Sequence, residues 1–118
     1  MNKKLKTMMA SALLLGCMVV PAKAAYYVYG NGGDYEGKLN LYMSGSTRYG
    51  LAGTYVQDDK YIVNTISAEV VDNGVSKAYK SYSMDSNATT KTVVVNYSGV
   101  VGKHKIISPS HGNWSATT

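Results

Sequence analysis

The chain predicts an all-β fold: a small antiparallel β-sandwich or barrel of about seven short strands, preceded by a helical signal peptide. Three observations carry this. Tyrosine is abundant (11 residues) while phenylalanine is absent, and tyrosine beside valine and threonine suits a pleated, half-buried surface. Tyrosine in place of phenylalanine also suits a thin fold, in which each ring shows one polar edge to water. Clusters of Gly, Asn, Asp and Ser punctuate the chain at short intervals, with apolar and polar residues alternating between them. After the leader, no segment combines helix caps with a 3.6-residue period, and no linker or internal repeat divides the chain. Residues 25–118 therefore read as one domain.

The leader comes first. Lys3, Lys4 and Lys6 form a positive start, and Met8 to Pro21 is apolar. That run of about 14 residues is too short to cross a bilayer of ~30 Å as a helix. Ala22-Lys23-Ala24 follows with the small-x-small pattern read by signal peptidase, which places cleavage between Ala24 and Ala25. Residues 1–24 are thus expected to direct export, leaving 94 of the 118 residues as the mature, secreted chain. Leu14-Leu15-Gly16-Cys17 allows a second outcome, a lipoprotein anchored through Cys17. Against it, Met18-Val19-Val20 prolongs the greasy run where lipoproteins turn polar.

The mature elements follow in order. Tyr26 to Tyr29 is a short aromatic run, closed by the turn Gly30 to Asp34. Lys38 to Met43 alternates, with Leu39, Leu41 and Met43 on one face and Lys38, Asn40 and Tyr42 on the other. Ser44-Gly45-Ser46 turns into Thr47 to Val56, where Gly50 and Gly53 predict a bulge or a close backbone approach. Gln57 to Lys60 is the next turn. Tyr61 to Val71 is the strongest strand, with Ile62, Ile66, Ala68 and Val70 sharing a face. Asp72-Asn73-Gly74 signals a hairpin. Val75 to Tyr82 returns, with Val75, Lys77, Tyr79 and Ser81 alternating against Ser76, Ala78, Lys80 and Tyr82. Ser83 to Asn87 reads as a loop, Ala88 to Tyr97 as a central strand around Val93-Val94-Val95, Lys103 to Ile107 as a short strand, and Trp114 to Thr118 as a last edge strand.

Charge and cysteine content narrow the function classes. Of the 12 basic residues, four (Lys3, Lys4, Lys6, Lys23) precede the cleavage, while all seven acids follow it. The mature chain is therefore near +1, which offers no basic surface for nucleic acid or an anionic membrane. The one cysteine, Cys17, lies in the leader, so the mature domain is expected to be free of disulfides and thiolate ligands. Export without cysteine points to a bacterial source, Gram-positive in this reading.

Catalytic chemistry is not legible. His104 and His111 lack a Gly-x-Ser-x-Gly nucleophile elbow or another recognisable nucleophile and acid. Asp58-Asp59 and Asp34-x-Glu36 match no calcium-loop template and read as solvated turn acids. No catalytic residue, metal or cofactor is expected, and the chain is read as a non-enzyme. Tyr29-Gly30-Asn31-Gly32 matches the signature of pediocin-like peptides, but their cysteine pair is missing here, so it reads as a turn.

Ser76-Lys77-Ala78-Tyr79-Lys80-Ser81-Tyr82 resembles the Ser-x-Ala-Tyr-x-x-Tyr segment of the lactococcin 972 family of bacteriocins. A hydroxyl-rich stretch (Ser83 to Thr92), Val94-Val95-Asn96, Gly99, Gly102 and Lys103, and a late Gly112-Asn113-Trp114 before Ala116-Thr117 follow in the family's order. Two departures stand: Tyr26 to Gly33 lacks the family's early tryptophan, and Lys38 to Val71 is additional. The resemblance covers residues 76–118. It implies a secreted antibacterial protein that acts on the envelope of related bacteria by binding, with a cell-wall precursor in view and an immunity or export protein encoded nearby. With side-chain type, it implies Tyr79, Tyr82 and Trp114 as contact aromatics. Two readings stand beside it: a structural or adhesive cell-surface β module, and an exported enzyme or enzyme inhibitor.

Overall fold

The computed structural model describes residues 23–96 and 99–118. The expected helical signal peptide, and with it Cys17, lies outside the described residues. Among the described residues nine strands follow in order: β1 (Lys23–Gly30), β2 (Tyr35–Ser44), β3 (Thr47–Val56), β4 (Val63–Asp72), β5 (Val75–Asp85), β6 (Asn87–Thr89), β7 (Val93–Val94), β8 (Val100–Ile107) and β9 (Trp114–Thr117). They form two antiparallel sheets, β1-β2-β3-β6 with β7 also on β3, and β5-β4-β8-β9. The inner faces pack together as a sandwich, so the predicted fold class is what the chain adopts. Its short helical pieces are two 3-10 turns, Asn31–Gly33 and Gln57–Asp59, at predicted turns.

The tight turns follow residue chemistry. Asn73 (φ 52°) and Gly74 (φ 82°) take the left-handed region that a two-residue hairpin demands, joining β4 to β5. Gly45 (φ 63°) does the same between β2 and β3. The β2–β3 register runs without a shift, so Gly50 and Gly53 are close approaches rather than bulges. A Cβ on Gly50 would lie 3.1 Å from Leu41, and one on Gly53 would meet the Tyr55 ring that folds over it.

Four segments differ from expectation. Ile62 precedes β4 and is exposed, so the inner face of β4 begins at Val63. The alternation of β5 is broken: Val70 faces Ala78 but Val71 faces Ser76, which leaves Lys77 as a bulge. The segment expected as a loop after Tyr82 continues β5 to Asp85, and β6 begins at Asn87. The expected central strand around Val93 is instead two short pieces on β3, and the central partner of β4 is β8, which starts at Val100. A run of apolar residues shows that a strand is buried but not which strand it pairs with.

The core is stratified. One apolar cluster holds Tyr26, Leu39, Leu41, Ala52, Ala68, Val70, Val95 and Val100; the other holds Tyr35, Val56, Val63, Ile66, Ala88 and Ile106. Between them lies a polar layer, to which three strands each give a non-apolar residue: Gly37 on β2, Thr54 on β3 and His104 on β8. His104 Nδ1 is 2.9 Å from Thr54 Oγ1, and Nε2 is 3.0 Å from Thr118 Oγ1. Thr54 Oγ1 donates its one proton to the Ser67 carbonyl (2.7 Å), so Nδ1–H donates to Thr54 and Nε2 accepts from Thr118. The ring lies over Gly37, where a Cβ would come within 2.5 Å of it. One imidazole thus ties both sheets to Thr118. At 2 % exposure, burial lowers its pKa to about 4, against a smaller opposing effect of a hydrogen bond with the Gly53 backbone.

Candidate functional site

The outer face of the second sheet carries the candidate site. Antiparallel register sets its residues in two rungs across four strands. Tyr79, Glu69, Lys103 and Thr117 form one; Ser81, Ser67, Lys105 and Ser115 form the next. Alternation dictates this, because the residues between them on β4 and β8 (Ala68, His104) point into the core. A shallow groove of about 480 Å³ runs over these rungs, lined by Tyr79, Glu69, Ser67, Lys103, Lys105, Ser115, Ala116 and Thr117, with His104 at its floor.

The two lysines differ in setting. Lys103 lies directly opposite the Glu69 carboxylate, whereas Lys105 lies between Ser67 and Ser115. Lys105 thus offers an ammonium flanked by hydroxyl-bearing residues, and Tyr79, 61 % exposed, supplies an aromatic wall at the β5 side. The arrangement can hold a polar ligand by surface contact and hydrogen bonding.

The three aromatics named from sequence do not converge. Tyr79 lines the groove. Tyr82 pairs with Ile66, so it stands on the opposite side of β5, 40 % exposed, with the Lys80 ammonium 5.4 Å from its ring centre. Trp114 faces inward opposite Ile106, tilted on Tyr35 at 5.8 Å between ring centres and stacked on His104 at 6.5 Å. It is half-buried, and its ring fills the space a Gly30 Cβ would need. It packs at the end of the core, away from the groove that Tyr79 lines.

Strand register gathers a second aromatic surface. Tyr27 and Tyr29 on β1, Tyr42 on β2 and Tyr49 and Tyr55 on β3 share the outer face of the first sheet, each half-buried. Tyr27 stacks on Tyr29 at 6.3 Å and Tyr42 on Tyr49 at 5.3 Å, while the Lys38 ammonium lies 5.5 Å from the Tyr27 ring centre. The rings face one another, so they shield the sheet rather than offer flat faces outward. The period-2 placement of tyrosine was the available signal; the strand register that gathers the five rings was not. Tyr35 breaks the one-polar-edge expectation. It is fully buried, its hydroxyl donates to the Gly112 carbonyl (2.8 Å), and burial pushes its pKa up to about 12.

Several other titratable groups are engaged locally. His111 stacks on Tyr61 at 3.8 Å, with Nδ1 at 3.0 Å from Ser110 Oγ. Asp34 pairs with Lys60 (3.1 Å), Asp59 accepts from Ser86 (2.8 Å), and Glu36 accepts from Gln57. Among the described residues, no three of His, Cys, Asp and Glu converge as a metal site.

No family model, curated protein or solved structure matches this chain.

Proposed function

We propose that this chain is a secreted, bacteriocin-like antibacterial protein that acts on the cell envelope of related bacteria by binding an envelope component rather than by turning it over. The observation that carries the reading is the open groove over β4, β5, β8 and β9, where Tyr79, Lys105, Ser115 and Thr117 are exposed for contact. The sequence resemblance over residues 76–118 supports the same reading, with a cell-wall precursor as the component in view. Export by the leader, with cleavage between Ala24 and Ala25, completes it; lipidation at Cys17 is the alternative. That cleavage falls within β1 and removes Lys23 and Ala24 from their register with Tyr42 and Leu41.

The exported protein is expected to inhibit lawns of close relatives, and Lys105→Ala or Tyr79→Ala to abolish inhibition while circular dichroism and thermal unfolding stay unchanged. Inactivity across a broad panel of relatives, or full activity of both variants, refutes the proposal. A second reading, a structural or adhesive cell-surface module, draws on the exposed edge of β5. It predicts assemblies that lengthen without limit as concentration rises.

A further inference from the structure

Arg48 is the sequence's only arginine, and it stands where an apolar residue would continue the core. On β2 and β3 the buried Leu39, Leu41, Gly50 and Ala52 share the inner face. The period of two carries that face on to Met43 and Arg48, which pair with each other near the hairpin end and are half-buried. The chain after β7 crosses this end of the sandwich. The Val95 N–H donates to the Arg48 carbonyl (3.0 Å), and the Asn96 N–H donates to the buried Asp72 carboxylate (2.7 Å). Between the hairpin end and this segment lies a pocket of about 330 Å³.

The lining is of two kinds. Met43, Val94 and Val95 are apolar, and Val94 is 49 % exposed. Arg48, Thr47 and Asn96 are polar, and no acidic residue lines the pocket. The one ion pair among the described residues is Lys60–Asp34, so Arg48 has no carboxylate partner among them. We propose that this pocket is a carboxylate site: Arg48 grips the two oxygens of an aliphatic monocarboxylate, whose hydrocarbon part lies against Met43, Val94 and Val95.

Shape and charge both select that ligand. A guanidinium is a planar fork that matches a carboxylate through two parallel N–H···O bonds, and it is more weakly hydrated than an ammonium. Its single positive charge balances a single negative one. A phosphate monoester carries about −1.5 to −2 at neutral pH and would stay uncompensated, since no second basic residue lines the pocket. The apolar part of the lining favours a hydrocarbon tail, and a cavity of this size admits a small molecule or one terminal residue rather than a length of polymer. The ligand chemistry is thus that of a peptide C-terminus with an aliphatic last side chain, or of a free fatty acid. The inference stands whatever the Tyr79–Lys105 groove binds.

Titration of the exported protein, followed by backbone amide chemical shifts, tests it with four probes. N-acetyl-leucine and octanoate carry the carboxylate, N-acetyl-leucinamide is the neutral match, and inorganic phosphate is the rival anion. Both carboxylates are expected to bind at millimolar concentration and to shift the amides of Thr47, Val94, Val95 and Asn96. The leucinamide and phosphate are expected to bind more weakly by about tenfold or more. Tighter binding of N-acetyl-leucine points to peptide C-termini as the source, and tighter binding of octanoate points to fatty acids. Arg48→Lys keeps the charge but not the fork, and is expected to raise the carboxylate dissociation constants about tenfold with thermal unfolding unchanged. An arginine placed only to cover the end of the core would lose nothing in that measurement. The comparison of acid with amide uses the unaltered protein, so it decides the matter without the variant. No shift with either carboxylate, equal binding of the leucinamide or of phosphate, shifts confined to the Tyr79–Lys105 groove, or unchanged affinity in Arg48→Lys would overturn the proposal.

Discussion

Lowering the pH should remove a calculable part of this protein's stability through one buried ring. His104 is 2 % exposed, and its side-chain contacts Gly37, Thr54, Trp114 and Thr118 are uncharged. Protonation does not strand a hydrogen bond: Nε2–H would donate to Thr118 Oγ1, whose proton turns to the Gly102 carbonyl at 3.1 Å. What disfavours the cation is lost hydration, which holds the folded pKa at about 4 against an ordinary value of 6.5. With the folded pKa below the unfolded one, the unfolded chain binds the proton first as pH falls. Stability from this group is then complete above pH 6.5 and is lost progressively down to about pH 4. At about 1.4 kcal/mol per pKa unit, the full loss is about 3 kcal/mol, of which about 2 kcal/mol falls between pH 7 and pH 5. Urea unfolding at pH 7, 6 and 5 measures it, and imidazole chemical shifts of His104 follow the titration directly. His104→Leu is expected to flatten the pH dependence in this window while lowering stability at pH 7, since the Thr54 and Thr118 hydroxyls lose a partner. A stability that stays level from pH 7 to pH 5, or a His104 that titrates near 6.5 in the folded protein, would refute the reasoning.

Gly37→Ala should destabilise by about 1–3 kcal/mol, because the new methyl meets the His104 ring and a packed core yields little; urea unfolding at neutral pH reads this. Gly74→Ala should cost about 1 kcal/mol at a residue held at φ 82°, measurable as a lower melting temperature with no change in fold. Lys60→Ala should change stability by less than about 0.5 kcal/mol. Its pair with Asp34 is exposed, and a larger loss in thermal unfolding would mean that this turn contributes more than its solvent-screened charges can.

Legibility varied with the range of the interaction responsible. The β2–β3 and β4–β5 hairpins were readable from Gly45 and from Asn73-Gly74, because a backbone forced to positive φ selects its residues locally. The alternation of Lys38 to Met43 was readable for the same reason, since side-chain period is a property of one strand. Val93-Val94 was misread as central because apolar character records burial and not partnership, and these residues lie beside β3 at the sheet's margin. The candidate site was legible only in Tyr79. Lys103 and Lys105 join the site only because β8 lies between β4 and β9, and the same register places Trp114 facing inward, away from the groove.

By itself, the order of residues determined the antiparallel all-β class and the positions of the hairpin turns, for these depend on torsional preference and on a two-residue period. Tertiary structure alone decided that Gly37, Thr54 and His104, up to 67 residues apart, meet as one polar layer, and that Tyr79 shares a groove with Lys105. Such meetings depend on which strands pair and in what register. That outcome minimises unpaired backbone and exposed apolar surface over the whole chain at once, so no single segment encodes it.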